Sequence, residues 1–224
     1  MDNTPNVLPG RCSEISVQKK NRDRVSIFVE DSFVGGFHYG AVEEAGIQKG
    51  SVITPECYDK LVSGDRKFQL RDQIYRWLGM RNHSAGELRR KALAKGYSEE
   101  EIIPAIETAE LKGYIDDISF ARQFTVEKRD KRNWGPVKIH AALADKGIKK
   151  HYIEAVLDKE FDEDRLWDGI WAASRSMKNR LMKTEDGIKQ KKKLVDHLIR
   201  RGFPPHQVLN KADDLLKRLE HEKT

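Results

Sequence analysis

Cysteine is scarce: Cys12 and Cys57 are the only two in 224 residues, too few for a disulfide-built scaffold. Long apolar runs are missing as well. No stretch of about 18 apolar residues exists, so a membrane-spanning helix is not expected. Residues 1–23 carry charges, Pro5 and Pro9 but no apolar segment of the kind a secretory signal needs. These absences predict a cytoplasmic protein that does not enter a membrane. Core material is limited too, with 38% hydrophobic and 8% aromatic residues. That excludes one thick core and leaves thin layers of amphipathic helices.

Chemistry-bearing motifs are equally sparse. There is no phosphate-cradling loop of the Gly-x-x-x-x-Gly-Lys type and no dinucleotide fingerprint. The two cysteines stand 45 positions apart with no histidine at ligand spacing, and the seven histidines are scattered. No catalytic residue, metal site, cofactor or small-molecule substrate is therefore expected. Asp116-Asp117 could pass for a catalytic or metal-binding carboxylate pair. A helix start accounts for both, because negative charge there meets the positive end of the helix dipole.

Charge is what the chain has in abundance. Asp, Glu, Lys and Arg make up 35% of it, and the formal net charge is +6. Residues 1–70 hold 9 Lys/Arg against 10 Asp/Glu, residues 71–158 hold 17 against 14, and residues 159–224 hold 16 against 12. The basic excess lies in the C-terminal two thirds, which favours an acidic or nucleic-acid-containing partner.

Residues 1–23 read as a flexible lead-in. Arg24–Glu30 and Phe33–Tyr39 alternate as a β-hairpin with its turn near Asp31-Ser32, and Gly35-Gly36 suggests a bulge. Thr54-Pro55 opens a helix that Gly64-Asp65 should break near Ser63. Residues 24–66 thus form a small hairpin-containing segment. From residue 67 the pattern is helical, and it divides into three-helix repeats at 67–115, 116–160 and 161–224. In the third, one long helix should run to Lys183.

The repeat is clearest from Ser84 to Asp117. Ser84 and Glu87 have capping-box spacing, as do Ser98 and Glu101. Leu88, Ala92 and Leu93, then Ile102, Ile103, Ile106, Ala109 and Leu111, supply the apolar stripes. Ile118, Phe120, Ala121 and Phe124 should face inward in the next unit. Pro104 conflicts with its helix, which should start late or kink there. Gly96, Gly147 and Gly202 mark three equivalent turns, 51 and 55 residues apart. Each follows a basic residue (Lys95, Lys146, Arg201) and precedes an apolar one (Tyr97, Ile148, Phe203). The fold class expected is mainly α, a tandem array of three-helix repeats, elongated and curved, behind a small β-hairpin segment.

With enzymatic groups missing, the cations carry the functional expectation. Candidates for a partner surface are Arg89, Arg90, Lys95, Arg129, Lys131, Arg132, Lys138, Lys146, Lys191, Lys192 and Arg201. Trp134, Trp167 and Trp171 read as core.

The first two repeats resemble the RecX regulatory family. The resemblance is carried by His83-Ser84, Glu87-Leu88, Lys95-Gly96-Tyr97, Gly113-Tyr114-Ile115-Asp116-Asp117, Phe120-Ala121, Trp134-Gly135-Pro136 and Lys146-Gly147-Ile148, in that order. The third repeat matches in its Gly202 half. The resemblance implies a non-enzymatic modulator of the RecA recombinase that binds along the RecA–single-stranded-DNA filament and affects DNA repair and recombination. The partners it implies are the RecA filament and DNA. Two other readings stay open on the sequence: a direct DNA binder of the helix-turn-helix type, and a helical scaffold for another protein.

Overall fold

A computed structural model describes residues 5–222. Residues 1–4 of the expected lead-in and 223–224 of the expected third repeat lie outside the described residues. Two compact units result, one from residues 1–81 and 88–112, the other from 82–87 and 113–224.

The first unit opens with three strands, β1 (Gly10–Val17), β2 (Arg24–Val29) and β3 (Ser32–His38). Then follow α1 (Tyr39–Glu44), the two-residue β4 (Val52–Ile53) and α2 (Pro55–Met80). The strands form one antiparallel sheet of order β3-β2-β1-β4. The hairpin expectation holds, but the turn is Glu30-Asp31, both at positive φ (46° and 61°). That conformation matches the twist of a tight hairpin. It is held in place from β1, whose Arg11 N–H donates to the Glu30 carboxylate at 2.8 Å, while Asp31 N–H donates to Ser13 Oγ at 3.0 Å. The bulge falls on Val34, where pairing jumps from Phe33 to Gly35.

Two expectations are corrected here. Residues 10–17 are a strand and no flexible lead-in. Cys12, buried, is the residue of β1 that joins the core, and the strand gains its place by pairing on both sides, with β2 and β4. Gly64-Asp65 does not break a helix either. Here α2 runs unbroken for 26 residues. Gly64 faces Ala41 of α1 at a distance that would be ordinary van der Waals contact even for a Cβ, and the buried Asp65 carboxylate is fully engaged. It accepts from Arg24 (3.2 Å to each oxygen), the His38 N–H (2.6 Å) and Gln69 (2.6 Å). A helix-breaking pair in sequence is thus the anchor of the sheet on the helix.

Next come α3 (Ala85–Ala94) and α4 (Glu99–Leu111), joined by the Gly96 turn at φ 83°. Helix α3 gives residues 85–87 to the second unit and its remainder to the first. Ser98 and Glu101 form the expected capping box, and α4 continues through Pro104 from that start. Only one stripe of each helix is buried: Leu88 and Ala92, then Ile102, Ile106 and Ala109. Leu93, Ile103 and Leu111 are exposed, and so are Ile118 and Leu209 further on. Leu93, Ile103 and Leu209 each follow a buried residue and so lie about 100° round the helix from it, and a three-helix layer is too thin to cover both faces.

The second unit continues with α5 (Asp117–Arg132), α6 (Pro136–Asp145), α7 (Lys150–Glu160), α8 (Glu163–Arg175), α9 (Lys178–Leu181), α10 (Gly187–Arg201) and α11 (Pro205–His221). The long helix expected to reach Lys183 stops at Arg175, because the chain turns through Ser176 and Met177 to bury Met177 and Leu181 against α10. Its cores are Ala121, Ile139, Leu143, Ile148 and Ile153 for one repeat and Ile170, Leu194, Leu198, Phe203 and Val208 among those of the next. Among the described residues the chain is mainly helical with a small N-terminal sheet, and no helix is long and apolar enough to cross a membrane.

Candidate partner-binding surface

Within the second unit the start of one helix seats on a glycine turn of the following repeat, and this happens twice. Ser84 Oγ donates to the Lys146 carbonyl at 2.7 Å, and a Cβ on Gly86 would stand 2.7 Å from Gly147 Cα. One repeat later, Gly135 N–H donates to the Arg201 carbonyl at 2.8 Å and Val137 N–H to the Gly202 carbonyl at 3.0 Å. In both places one acceptor is the carbonyl of the basic residue that precedes the turn glycine, and at the second Gly202 itself supplies another. Orphan N–H groups at a helix start are thereby satisfied by a carbonyl the turn leaves open, or the start is tied to it by a hydroxyl. Gly147 and Gly202 sit at φ 81° and 91°, left-handed conformations that glycine adopts without a Cβ clash.

These seats settle where several candidate cations go. Lys146 Nζ reaches the buried Glu87 carboxylate at 2.5 Å, and Arg201 donates to the Arg132 carbonyl. Arg129 is largely buried and binds Glu160 through its carboxylate (3.0 Å) and carbonyl (2.9 Å). Arg89 pairs with Glu99 through both guanidinium arms, one at 2.8 Å. Lys191 reaches Asp213 at 2.7 Å, and Lys138 lies over the Trp134 ring at 4.5 Å. Arg90 and Lys95 in the first unit and Lys131, Arg132 and Lys192 in the second are exposed, as is the paired Arg89. Six of the eleven thus have the intramolecular partners just named.

The tryptophans are half-buried platforms as much as core. Besides Trp134, Trp167 carries Lys211 (5.5 Å) and Trp171 carries Arg218 (4.2 Å), both from α11. Such cation–π contacts add about 0.5–1 kcal/mol at exposed sites.

Asp116 and Asp117 are caps, but of different helices. Asp116 accepts from Ser119 N–H at 2.9 Å and starts α5. Asp117 turns away and accepts from Ala85 N–H at 2.9 Å, capping α3. Their acidities diverge. The Ser119 N–H holds the Asp116 carboxyl below its ordinary value, whereas burial pushes Asp117 up against that bond and Lys149. A carboxyl with a lowered folded pKa adds stability above its ordinary value and loses it as pH falls; a raised one costs stability as pH climbs above 3.8. Thermal unfolding against pH should therefore respond in opposite senses to Asp116→Asn and Asp117→Asn. The first loses part of its stability advantage above pH 5, and the second gains there while keeping the Ala85 cap. Equal pH slopes for the two variants would contradict this assignment.

One cationic cluster escapes the sequence reading. A surface cavity of about 310 Å³ in the second unit is lined by Met177, Arg180, Lys193, Asp196, Ile199 and Arg200. Arg180 comes from α9, which the sequence merges into one long helix, so its approach to α10 is invisible there. The spacing of Lys193 and Arg200, seven apart on one face of α10, is the signal that could have found the rest.

Comparison with known proteins places these features. Residues 11–54 match the model of the regulatory protein RecX N-terminal domain, residues 71–108 that of the RecX first three-helix domain, and residues 116–157 that of the second. A regulatory protein RecX of Clostridium perfringens (strain SM101) is 27% identical over 194 residues, covering 87% of this chain and 91% of its own. One from Listeria monocytogenes (serovar 1/2a) is 25% identical over 86% of this chain and 71% of its own. A crystal structure of a regulatory protein RecX superposes with a TM-score of 0.78 at 17% identity, covering 92% of this chain and 99% of that one. RecX from Lactobacillus salivarius gives 0.60 at 18% identity over 70% and 97%.

Proposed function

The chain belongs to the RecX regulatory family, and we propose that it is a non-enzymatic cytoplasmic regulator that binds along a RecA–single-stranded-DNA filament and restrains recombination and repair through it. The observation that carries this reading is the ordered match of the N-terminal and both three-helix models along one chain. Physical features agree with it. Within the second unit helix starts seat on the Gly147 and Gly202 turns, and the exposed cations Lys131, Arg132 and Lys192 of that unit remain for a polyanionic partner. A helix-turn-helix reader fits less well. In the first repeat the helix after the turn opens with Glu99, Glu100 and Glu101, the wrong sign for entry into a DNA groove.

Titration of this chain into RecA hydrolysing ATP on single-stranded DNA is the direct test. Hydrolysis should fall at stoichiometric ratios. Reversing Lys131 and Arg132 together (Lys131→Glu, Arg132→Glu) should shift the titration by about tenfold, given about 1.4 kcal/mol per decade. Unchanged hydrolysis with no co-sedimentation on the filament would refute the proposal.

A further inference from the structure

We propose that the cavity between α9 and α10 is a phosphodiester-binding site, through which the third repeat holds single-stranded nucleic acid directly. Three cations from two helices converge on about 310 Å³: Arg180, Lys193 and Arg200. None has a carboxylate partner among the described residues. Arg200 spends its Nε on the Asp196 carbonyl (3.2 Å) and Lys193 one N–H on Thr184 (3.0 Å), so both guanidinium forks and the rest of the ammonium are available. That sets them apart from Arg89, Arg129, Lys146 and Lys191, whose charges are answered within the fold. The local field is in keeping with this excess. His197, on the same helix, is disfavoured as a cation first by burial and then by Arg201, Arg200 and Arg180.

The geometry favours a linear polyanion. Lys193 and Arg200 of the cavity follow one face of α10, with Lys189, itself paired with Asp186 at 3.4 Å, one turn before them; the steps of four and seven residues are about 6 and 10.5 Å of rise at 1.5 Å per residue. A strand with a charge at every nucleotide meets each of them in turn. The guanidinium forks of Arg180 and Arg200 suit phosphate oxygens, and Met177 and Ile199 give the cavity an apolar wall for a sugar or base. Residues 165–201 hold 11 Lys/Arg against 4 Asp/Glu, so approach is favoured from a distance.

This deepens the filament reading, since it names the part that would touch the DNA, but its test needs no RecA. Binding of the full chain to a fluorescent oligothymidylate is measured across a salt series, for the wild type and for Arg180→Gln/Lys193→Gln/Arg200→Gln. All three residues are exposed, so the thermal unfolding midpoint serves as a check of the fold. The salt slope should fall by about 2, at about 0.7 per phosphate released on a single strand, and affinity at low salt by tenfold or more. A control that removes three other exposed cations, Lys112→Gln/Lys159→Gln/Lys217→Gln, should keep the slope. Equal losses for the two triple variants, no loss for the first, or no oligothymidylate binding by the wild type would overturn the proposal. So would a loss confined to a polyglutamate peptide, which would mean an acidic protein partner. A wild type that inhibits RecA without binding the oligonucleotide would sink this site and leave the filament reading standing. The reverse outcome would do the opposite.

Discussion

Alanine at Gly202 should be among the most destabilising single substitutions in the chain, and a graded glycine series separates its two causes. Gly96→Ala tests conformation alone, because φ is 83° and a Cβ there would meet nothing within 4 Å. It should cost about 1–2 kcal/mol, the penalty of the left-handed region for a residue with a Cβ. Gly135→Ala tests contact alone. Its φ of −81° suits any residue, yet a Cβ would stand 2.3 Å from the Gly202 carbonyl oxygen. Backbone must move, and the bonds from Gly135 and Val137 to the turn stretch with it, for about 2–4 kcal/mol of overpacking and lost hydrogen bonds. Gly202→Ala combines both, with φ 91° and a Cβ 2.3 Å from Lys138 Cβ and 2.4 Å from its nitrogen. The expected loss is about 4–5 kcal/mol, the level reached only by named structural faults. Denaturant unfolding of the three variants should rank them Gly96, Gly135, Gly202. A Gly202→Ala protein no less stable than Gly96→Ala would show that the junction is soft and the contact inconsequential.

The same series shows which part of this fold is legible in a sequence. A glycine that ends a helix announces itself, because the capping spacing before it and the apolar residue after it are local. Gly96, Gly147 and Gly202 could be read that way, and so could Thr54, Ser98 and Asp116 as helix starts. The glycines that receive a neighbour could not. Gly135 sits in an ordinary conformation, and its reason lies 67 positions away in Gly202. Strand β1 was hidden for a related cause. Its own pattern, Gly-Arg-Cys-Ser-Glu-Ile-Ser-Val, buries only Cys12 fully, and pairing with β2 and β4 makes it a strand. Gly64-Asp65 misled in the other direction, since local propensity disfavours what Arg24 and His38, bonded to Asp65, make favourable.

Charge was legible in amount and hidden in pairing. The sequence shows that Lys146 and Arg129 are cations beside turns, but not that Glu87 lies 59 positions from one and Glu160 31 from the other. Long side chains on exposed helix faces find partners whose positions depend on how repeats stack. The candidate cations therefore mix two populations, those whose charge is engaged within the fold, as Lys146 and Arg129 are, and those exposed to solvent, as Lys131 and Lys192 are. Arg180 was hidden because its approach to α10 has no sequence signature once the break at Ser176 goes unseen, whereas the spacing of Lys193 and Arg200 on α10 was there to be read.

Glu160→Ala should remove the ionic centre of the second unit and cost about 3–5 kcal/mol, the usual penalty for stripping one partner from a buried pair. Glu160 ends α7 and is 5% exposed. Its carboxylate gathers Arg129 of α5 (3.0 Å), Arg122 of α5 (3.2 Å) and, at 3.7 Å, Arg165 of α8. Arg129 also caps the α7 carbonyl at 2.9 Å, a favourable place for a cation at a helix C-terminus. The loss should fall mostly on Arg129, because its side chain is 17% exposed whereas Arg122 and Arg165 are 62% and 50% exposed and can turn to water. A double-mutant cycle distinguishes this from a simple loss of packing. Arg129→Met with Glu160→Leu leaves no buried unpaired charge, since Asp130, which Arg129 also meets at 2.7 Å, is exposed, and it should recover a large part of the stability lost by Glu160→Ala, whereas Arg122→Met with Glu160→Ala should recover little. Strict additivity of Arg129→Met and Glu160→Leu would mean that the pair is not coupled, and that α5 and α7 are held by Ala121, Ile153 and Leu157 alone.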